Sequence, residues 1–165
     1  AAFYDSLTGL ANRSLLEARV LEKLTVTDAN KIPAAFMLGY FELSDYRDLS
    51  QRHGEAFAQA LINYFVAELQ SRLATAELIA RYSSNSFMVI IPSNDPVMLQ
   101  ALVQKMASAF KSSVAISGKL TLCKWSFGFS EYPKSGTNSR NLIRAAQRVR
   151  YTSGEEHQEA ALEVV

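Results

Sequence analysis

The stretch Arg81-Tyr82-Ser83-Ser84-Asn85-Ser86-Phe87-Met88-Val89-Ile90-Ile91-Pro92 reads as two strands joined by a tight polar turn. Arg81 and Tyr82 close a first strand that starts near Leu78, and Phe87 to Ile91 form a second. The second is a continuous apolar run, the pattern of a central strand buried on both faces. The small polar residues between the strands suit a short hairpin loop, with Asn85 expected to take a positive φ. Taken alone, such a turn is more often a plain hairpin tip than a site of chemistry. What changes that weighting lies on either side of it.

Upstream, Asp5 to Arg13 makes a compact turn that leads into a helix from about Arg13 to Leu24. Asn12 is its expected N-cap, and Leu16, Val20 and Leu24 form an apolar row at i, i+4 spacing. After a polar loop from Thr25 to Pro33, Ala34 to Leu43 reads as the first strand, and Glu42 falls near its end. A short helix over roughly Ser44 to Arg52 is separated by Gly54 from a longer one. In that longer helix Phe57, Leu61, Phe65, Leu69 and Leu73 recur every four residues, as in a helix lying on a sheet.

Downstream, Pro96 suits the first turn of a helix with the stripe Leu99, Leu102, Val103, Met106 and Phe110. Leu120 to Phe129 reads as one extended strand. Asn138 can cap a helix carrying Leu142, Ile143, Ala146 and Val149, and Leu162 to Val165 could add a last short strand. This order predicts an α+β fold of the ferredoxin-like, split βαβ kind. Its largely antiparallel sheet has about five strands, with helices packed on both faces. In such a sheet Glu42 and the Ser83–Ser86 turn are expected to be neighbours.

Composition sets the limits. The 165 residues, 48% of them apolar, suit a single domain over 1–165 with a well-formed core. The opening Ala1-Ala2-Phe3-Tyr4 looks like mid-protein sequence, so a domain cut from a longer polypeptide is expected. No apolar run is long enough for a membrane span, and no secretory pattern opens the chain. Seventeen basic and sixteen acidic residues nearly cancel, so no global field argues for nucleic acid. Cys123 is the single cysteine and lies in an apolar pattern, as a small core residue would. His53 and His157 lack metal-ligand spacing and read as surface residues.

Asp5-x-Leu7-Thr8-Gly9-Leu10-x-Asn12-Arg13 matches without a mismatch the opening motif of the GGDEF family, the bacterial diguanylate cyclases. Tyr46-Arg47 with Gly54, Arg81-Tyr82, and Ser126-Phe127-Gly128 resemble the family's later segments, so the resemblance covers essentially the whole chain. It implies a fold like that of nucleotidyl cyclases and polymerase palms, and a cytoplasmic domain of bacterial cyclic di-GMP signalling, whose full-length protein could still be membrane-tethered.

The resemblance also implies a damaged active site. The signature Gly-Gly-Asp/Glu-Glu-Phe falls on Ser83-Ser84-Asn85-Ser86-Phe87, of which only the phenylalanine is kept. Ser83 and Ser84 add bulk and restrict φ where glycines let backbone approach a nucleotide. Asn85 offers one neutral oxygen where Mg²⁺ favours an anionic one. Glu42 aligns with the family's other metal carboxylate and is the weak metal candidate. Ser50 and Gln59 align with the guanine-reading asparagine and aspartate; serine is short for a base edge and glutamine lacks the paired acceptors for guanine. The phosphate-binding lysine and arginine of the family's late helix align near Gly154 and Gln158. Ala74 and Glu77 stand at the ends of the product-inhibition motif Arg-x-x-Asp, and Arg72 is out of register.

Each lost group of this kind costs a cyclase about 2.7–4 kcal/mol in the transition state. The expectation is therefore a domain that is not an enzyme and that regulates an adjacent domain, such as an EAL-type phosphodiesterase or a sensor, or another signalling protein. No cofactor is expected, with Mg²⁺ entering only if a nucleotide triphosphate still binds. The alternatives are a GTP-binding sensor without turnover and, less favoured, a residual diguanylate cyclase. Arg140, Arg144 and Arg148 form a basic i, i+4 row on the last clear helix, either a solvated face or a dock for an acidic partner surface or nucleic acid, the solvated face being favoured. Neither nucleic acid nor membrane contact is expected of the domain.

Overall fold

A computed structural model describes residues 2–25 and 33–154. The fold is α+β, a five-stranded sheet flanked by helices, with a two-stranded ribbon apart from it. In chain order the elements are α1 (Arg13–Thr25), β1 (Phe36–Leu43), α2 (Tyr46–His53), α3 (Glu55–Arg72), β2 (Leu78–Ser83) and β3 (Ser86–Ile91). They continue as α4 (Pro96–Ala107), β4 (Val114–Ile116), β5 (Lys119–Thr121), β6 (Trp125–Tyr132), α5 (Ser139–Ala146) and β7 (Tyr151–Thr152). The sheet order is β2-β3-β1-β6-β7. The first strand lies between the hairpin and the late strand, as a split βαβ arrangement requires.

The residues group into two compact units. The first comprises Ala1–Phe41, Thr75–Asp95 and Phe127–Arg150. Its core lies where Leu16 and Val20 of α1 and Leu142, Ile143 and Ala146 of α5 meet Phe36, Leu38, Ala80, Met88 and Ile90 of the strands. Period-two alternation sends Phe36, Leu38 and Tyr40 of β1 to this face. The intervening Gly39 leaves room on the other face: a Cβ there would stand 2.8 Å from Val89 and 2.9 Å from the Phe129 ring. Every residue of β3 is buried, as its apolar run predicts.

The second unit comprises Glu42–Ala74, Pro96–Ser126 and Tyr151–Val165. Its core is aromatic. Trp125 is fully buried, with the Phe110 ring 4.7 Å and the Phe65 ring 5.7 Å away. Its indole N–H donates to the Met106 carbonyl at 2.9 Å, which satisfies the one polar atom of a large apolar side chain. Gly54, at φ 89°, both ends α2 and begins α3, a conformation that favours glycine.

Both expected helix caps are present. Asn12 Oδ1 accepts from Leu15 N–H and Asn138 Oδ1 from Asn141 N–H, each at 2.9 Å. Pro96 opens α4 as its fixed φ allows. Cys123 is a buried core residue whose thiol burial pushes up to about 11.

Several expectations are corrected. Leu120 to Phe129 is not one strand: Lys119–Thr121 pairs with Val114–Ile116, and β6 begins only at Trp125. The ribbon turns at Ser117 and Gly118, both at positive φ, which matches the twist of a two-residue hairpin. Asn85 is not at positive φ. The β2–β3 register shifts between Arg81 and Ser83, and the added residue and twist of that bulge let the loop close without a left-handed residue. Helix α4 stops at Ala107, and Phe110 lies beyond it at φ 59°, its ring drawn into the Trp125 cluster.

Helix α5 stops at Ala146, so neither Arg148 nor Val149 lies on it. The basic row is two helical arginines and one in the segment that follows. The reason is a tertiary contact: Gly128 has no Cβ, and the Ala146 and Arg148 carbonyls sit 2.6 and 2.8 Å from where one would be. Arg150 N–H then donates to the Phe127 carbonyl at 3.0 Å. Tyr151–Thr152 is a strand, not the start of a helix. His53 is half-buried against Phe57, with ring centroids 4.6 Å apart, and its Nδ1 is 3.2 Å from Lys119 Nζ. Leu162–Val165, His157 and Gln158 lie outside the described residues.

Candidate functional site

The Ser83–Ser86 turn is held from below by the opening segment of the chain. Asp5 Oδ2 accepts from Thr8 N–H at 2.9 Å and from the Thr8 hydroxyl at 2.7 Å. The Asp5 and Gly9 backbones close the loop, Gly9 N–H reaching the Asp5 carbonyl at 2.8 Å. Gly9 sits at φ 75°, in the left-handed region. Ala11 then bridges to Ala80, and its carbonyl accepts from Arg81 N–H at 2.9 Å, which covers the edge of β2.

Arg81 links this loop to the turn. Its Nη1 lies 3.4 Å from Asp5 Oδ2, and its Nη2 donates to the Ser84 carbonyl at 2.8 Å. Its buried Nε has no partner among the described residues. Burial pushes the Asp5 carboxyl up, but the Thr8 hydrogen bonds and the Arg81 charge together outweigh it and leave it below the ordinary carboxylate value.

Within the turn the Ser83, Asn85 and Ser86 side chains bond to one another. Ser83 Oγ donates to Asn85 Oδ1 at 3.2 Å and is also hydrogen-bonded to the Ser86 hydroxyl. A hydroxyl carries one proton, so the Ser86 hydroxyl must donate to Ser83, and the chain runs from Ser86 to Ser83 to Asn85. Ser83 and Ser84 are exposed, Asn85 half-buried and Ser86 buried. The donor set of the turn is thus two interlocked hydroxyls, the exposed Ser84 hydroxyl and a neutral amide oxygen, which does not fit Mg²⁺, a cation that favours carboxylates and water. Among the described residues no group of three or more His, Cys, Asp or Glu side chains could hold a metal.

The other candidate positions are placed as follows. Glu42 is half-buried near the end of β1. Ser50, on α2, returns its hydroxyl to the Tyr46 carbonyl at 2.7 Å, the i−4 back-bond common for serine in helices. Gln59, on α3, donates to Asn63 Oδ1 at 3.0 Å. Ala74 is exposed just past α3. Glu77 pairs with Lys23 at 2.8 Å and Arg19 at 3.5 Å on α1. Arg140 and Arg144 are exposed on α5, and Arg148 is exposed beyond it. Sequence reading missed the Arg81–Ser84 and Glu77–Lys23 links, for neither follows a local pattern.

Residues 2–160 match the family described as diguanylate cyclase, GGDEF domain. The chain belongs to the GGDEF family. Its relatives are bacterial proteins of cyclic di-GMP signalling. The cyclic di-GMP phosphodiesterase PdeR of Escherichia coli is 23% identical over 92% of this chain and 22% of its own length. The cyclic di-GMP phosphodiesterase NbdA of Pseudomonas aeruginosa is 24% identical over 88% of this chain and 18% of its own length. The chain therefore spans about a fifth of these relatives. The GGDEF domain of P. aeruginosa TpbB superposes with a TM-score of 0.77 at 20% identity, covering 87% of this chain and 84% of that one. The FimX GGDEF domain superposes with a TM-score of 0.69 at 20% identity, covering 99% and 96%. These superpositions support the GGDEF fold.

Proposed function

We propose that this is a catalytically silent GGDEF domain, working inside a longer polypeptide to regulate an adjacent domain, such as an EAL-type phosphodiesterase, or another signalling protein. In this reading Ser83-Ser84-Asn85-Ser86-Phe87 stands in place of the family signature. The observation that carries it is the closed hydrogen-bond chain of Ser86, Ser83 and Asn85. A turn in which Ser83, Asn85 and Ser86 bond to one another, and which carries no carboxylate, offers no anionic ligand for the metal that neutralises a triphosphate and its leaving pyrophosphate. Ser50 and Gln59 support the same reading, since each side chain is engaged within its own helix. The named activity of PdeR and NbdA supports a phosphodiesterase as the regulated neighbour.

Incubation with GTP and Mg²⁺ or Mn²⁺, followed by product analysis, tests the silence; detectable cyclic di-GMP overturns it. Titration calorimetry with GTP separates a sensor from a scaffold, and Mg²⁺-dependent heat favours the sensor. Comparing the neighbouring domain's activity with and without this one tests the regulatory role; equal rates remove it.

A further inference from the structure

From Tyr132 to Arg150 the sequence contains Lys134, Arg140, Arg144, Arg148 and Arg150 and no aspartate or glutamate. In a chain of net charge +1 this is a strong local excess. Arg140 and Arg144, on α5, line a shallow groove of about 650 Å³ together with Leu21 of α1. Both guanidinium groups are exposed, and among the described residues neither forms an ion pair. Leu21, 55% exposed, supplies an apolar wall, while its helix neighbours Leu16 and Val20 are buried in the core.

Arg144 stands in the last turn of α5, where a cation suits the helix dipole, but Arg140 does not serve the helix. Arg140 stands in the first turn of α5, which has no acidic residue, and a cation there opposes the helix dipole. A local preference broken without an internal compensation points to a role outside the fold. We propose that this groove docks an acidic amphipathic helix of a partner protein. Carboxylates spaced i, i+4 on that helix would meet Arg140 and Arg144, which share one face about 5–6 Å apart, and an apolar residue between them would rest on Leu21. A single nucleic-acid strand fits less well, because among the described residues no aromatic ring lines the groove for base stacking. The inference rests on the regulatory reading only for its biological use.

The test is binding of a labelled synthetic helical peptide with glutamates at i, i+4 around one leucine, read by fluorescence anisotropy with the whole chain. Arg140→Glu with Arg144→Glu weakens binding about tenfold or more, and added salt weakens it in the same direction. Leu21→Asn also weakens it, and a glutamine version of the peptide does not bind. All three side chains are exposed, so unchanged thermal unfolding of the variants is the expected control. Failure of the peptide to bind, or binding indifferent to the arginines, overturns the proposal. So does tighter arginine-dependent binding of duplex DNA or of anionic lipid vesicles. None of these readouts involves GTP, so a cyclase-active domain would sink the functional reading without touching this one.

Discussion

Arg81 Nη1 and Asp5 Oδ2, 76 residues apart in the chain, meet at 3.4 Å and tie the opening loop to the base of the β2–β3 turn. The Arg81 side chain is 9% exposed and that of Asp5 21%. Asp5→Ala removes the charged partner of a largely buried guanidinium, which keeps its bond to the Ser84 carbonyl, along with two Thr8 hydrogen bonds. It is expected to destabilise the protein by about 2–3 kcal/mol, read as a lower denaturant midpoint at unchanged slope. A loss within about 0.5 kcal/mol would mean that Arg81 finds equivalent partners elsewhere.

The same carboxyl sets a pH dependence. Its folded-state value is depressed, so its contribution is full above the ordinary value of 3.8 and is lost as pH falls through the lower folded value. The stability gap between the protein and Asp5→Asn should therefore be constant near neutrality and close in acid, below about pH 4. A gap that closes between pH 5 and 7 would assign it to another group.

Ser83→Ala breaks the turn's hydrogen-bond chain at its middle member, leaving the Ser86 hydroxyl buried without its acceptor. The expected cost is about 1–2 kcal/mol. Ser84→Ala, at the exposed neighbouring position, should be nearly neutral and serves as the control. Equal effects at the two positions would deny the chain its structural weight.

Gly128→Ala sets a methyl group against two backbone carbonyls, those of Ala146 and Arg148. Backbone cannot swing aside as a flexible side chain can, so a loss of about 1–3 kcal/mol or more follows. Gly9→Ala meets no atom within 4 Å but must hold φ 75°, and should cost less, about 1 kcal/mol.

Burial of Cys123 pushes its thiol up to about 11. At pH 8 the native thiol is expected to resist a thiol reagent and to react promptly once the chain is unfolded. Rapid labelling of the folded protein would contradict the burial.

Much of this structure was legible where one residue type has one physical use. Asn12 and Asn138 announce helix starts, Pro96 a first turn, and Phe87 to Ile91 a buried strand. What escaped was decided by tertiary contact. The arginine spacing continues smoothly past Ala146, yet the backbone leaves the helix there because Gly128 admits two carbonyls. Thr121, Cys123, Trp125 and Phe127 keep a period-two spacing, yet the chain changes partner between them. Phe110 carries a helical spacing but is claimed by Trp125. In the candidate site the residue identities were plain from the start. That Ser83, Asn85 and Ser86 would consume one another's hydrogen bonds was not, since that needs the register of the hairpin.

The uncharged turn has a consequence for how the hairpin responds to its surroundings. A turn built of carboxylates carries mutual repulsion that a counter-ion must relieve, so its shape follows magnesium, salt and nucleotide. Between Ser83 and Ser86 there is no charge to relieve, and the bonds close with no outside participant. The tip of this hairpin should keep one conformation whether nucleotide is scarce or abundant, a fixed reference point rather than a moving part.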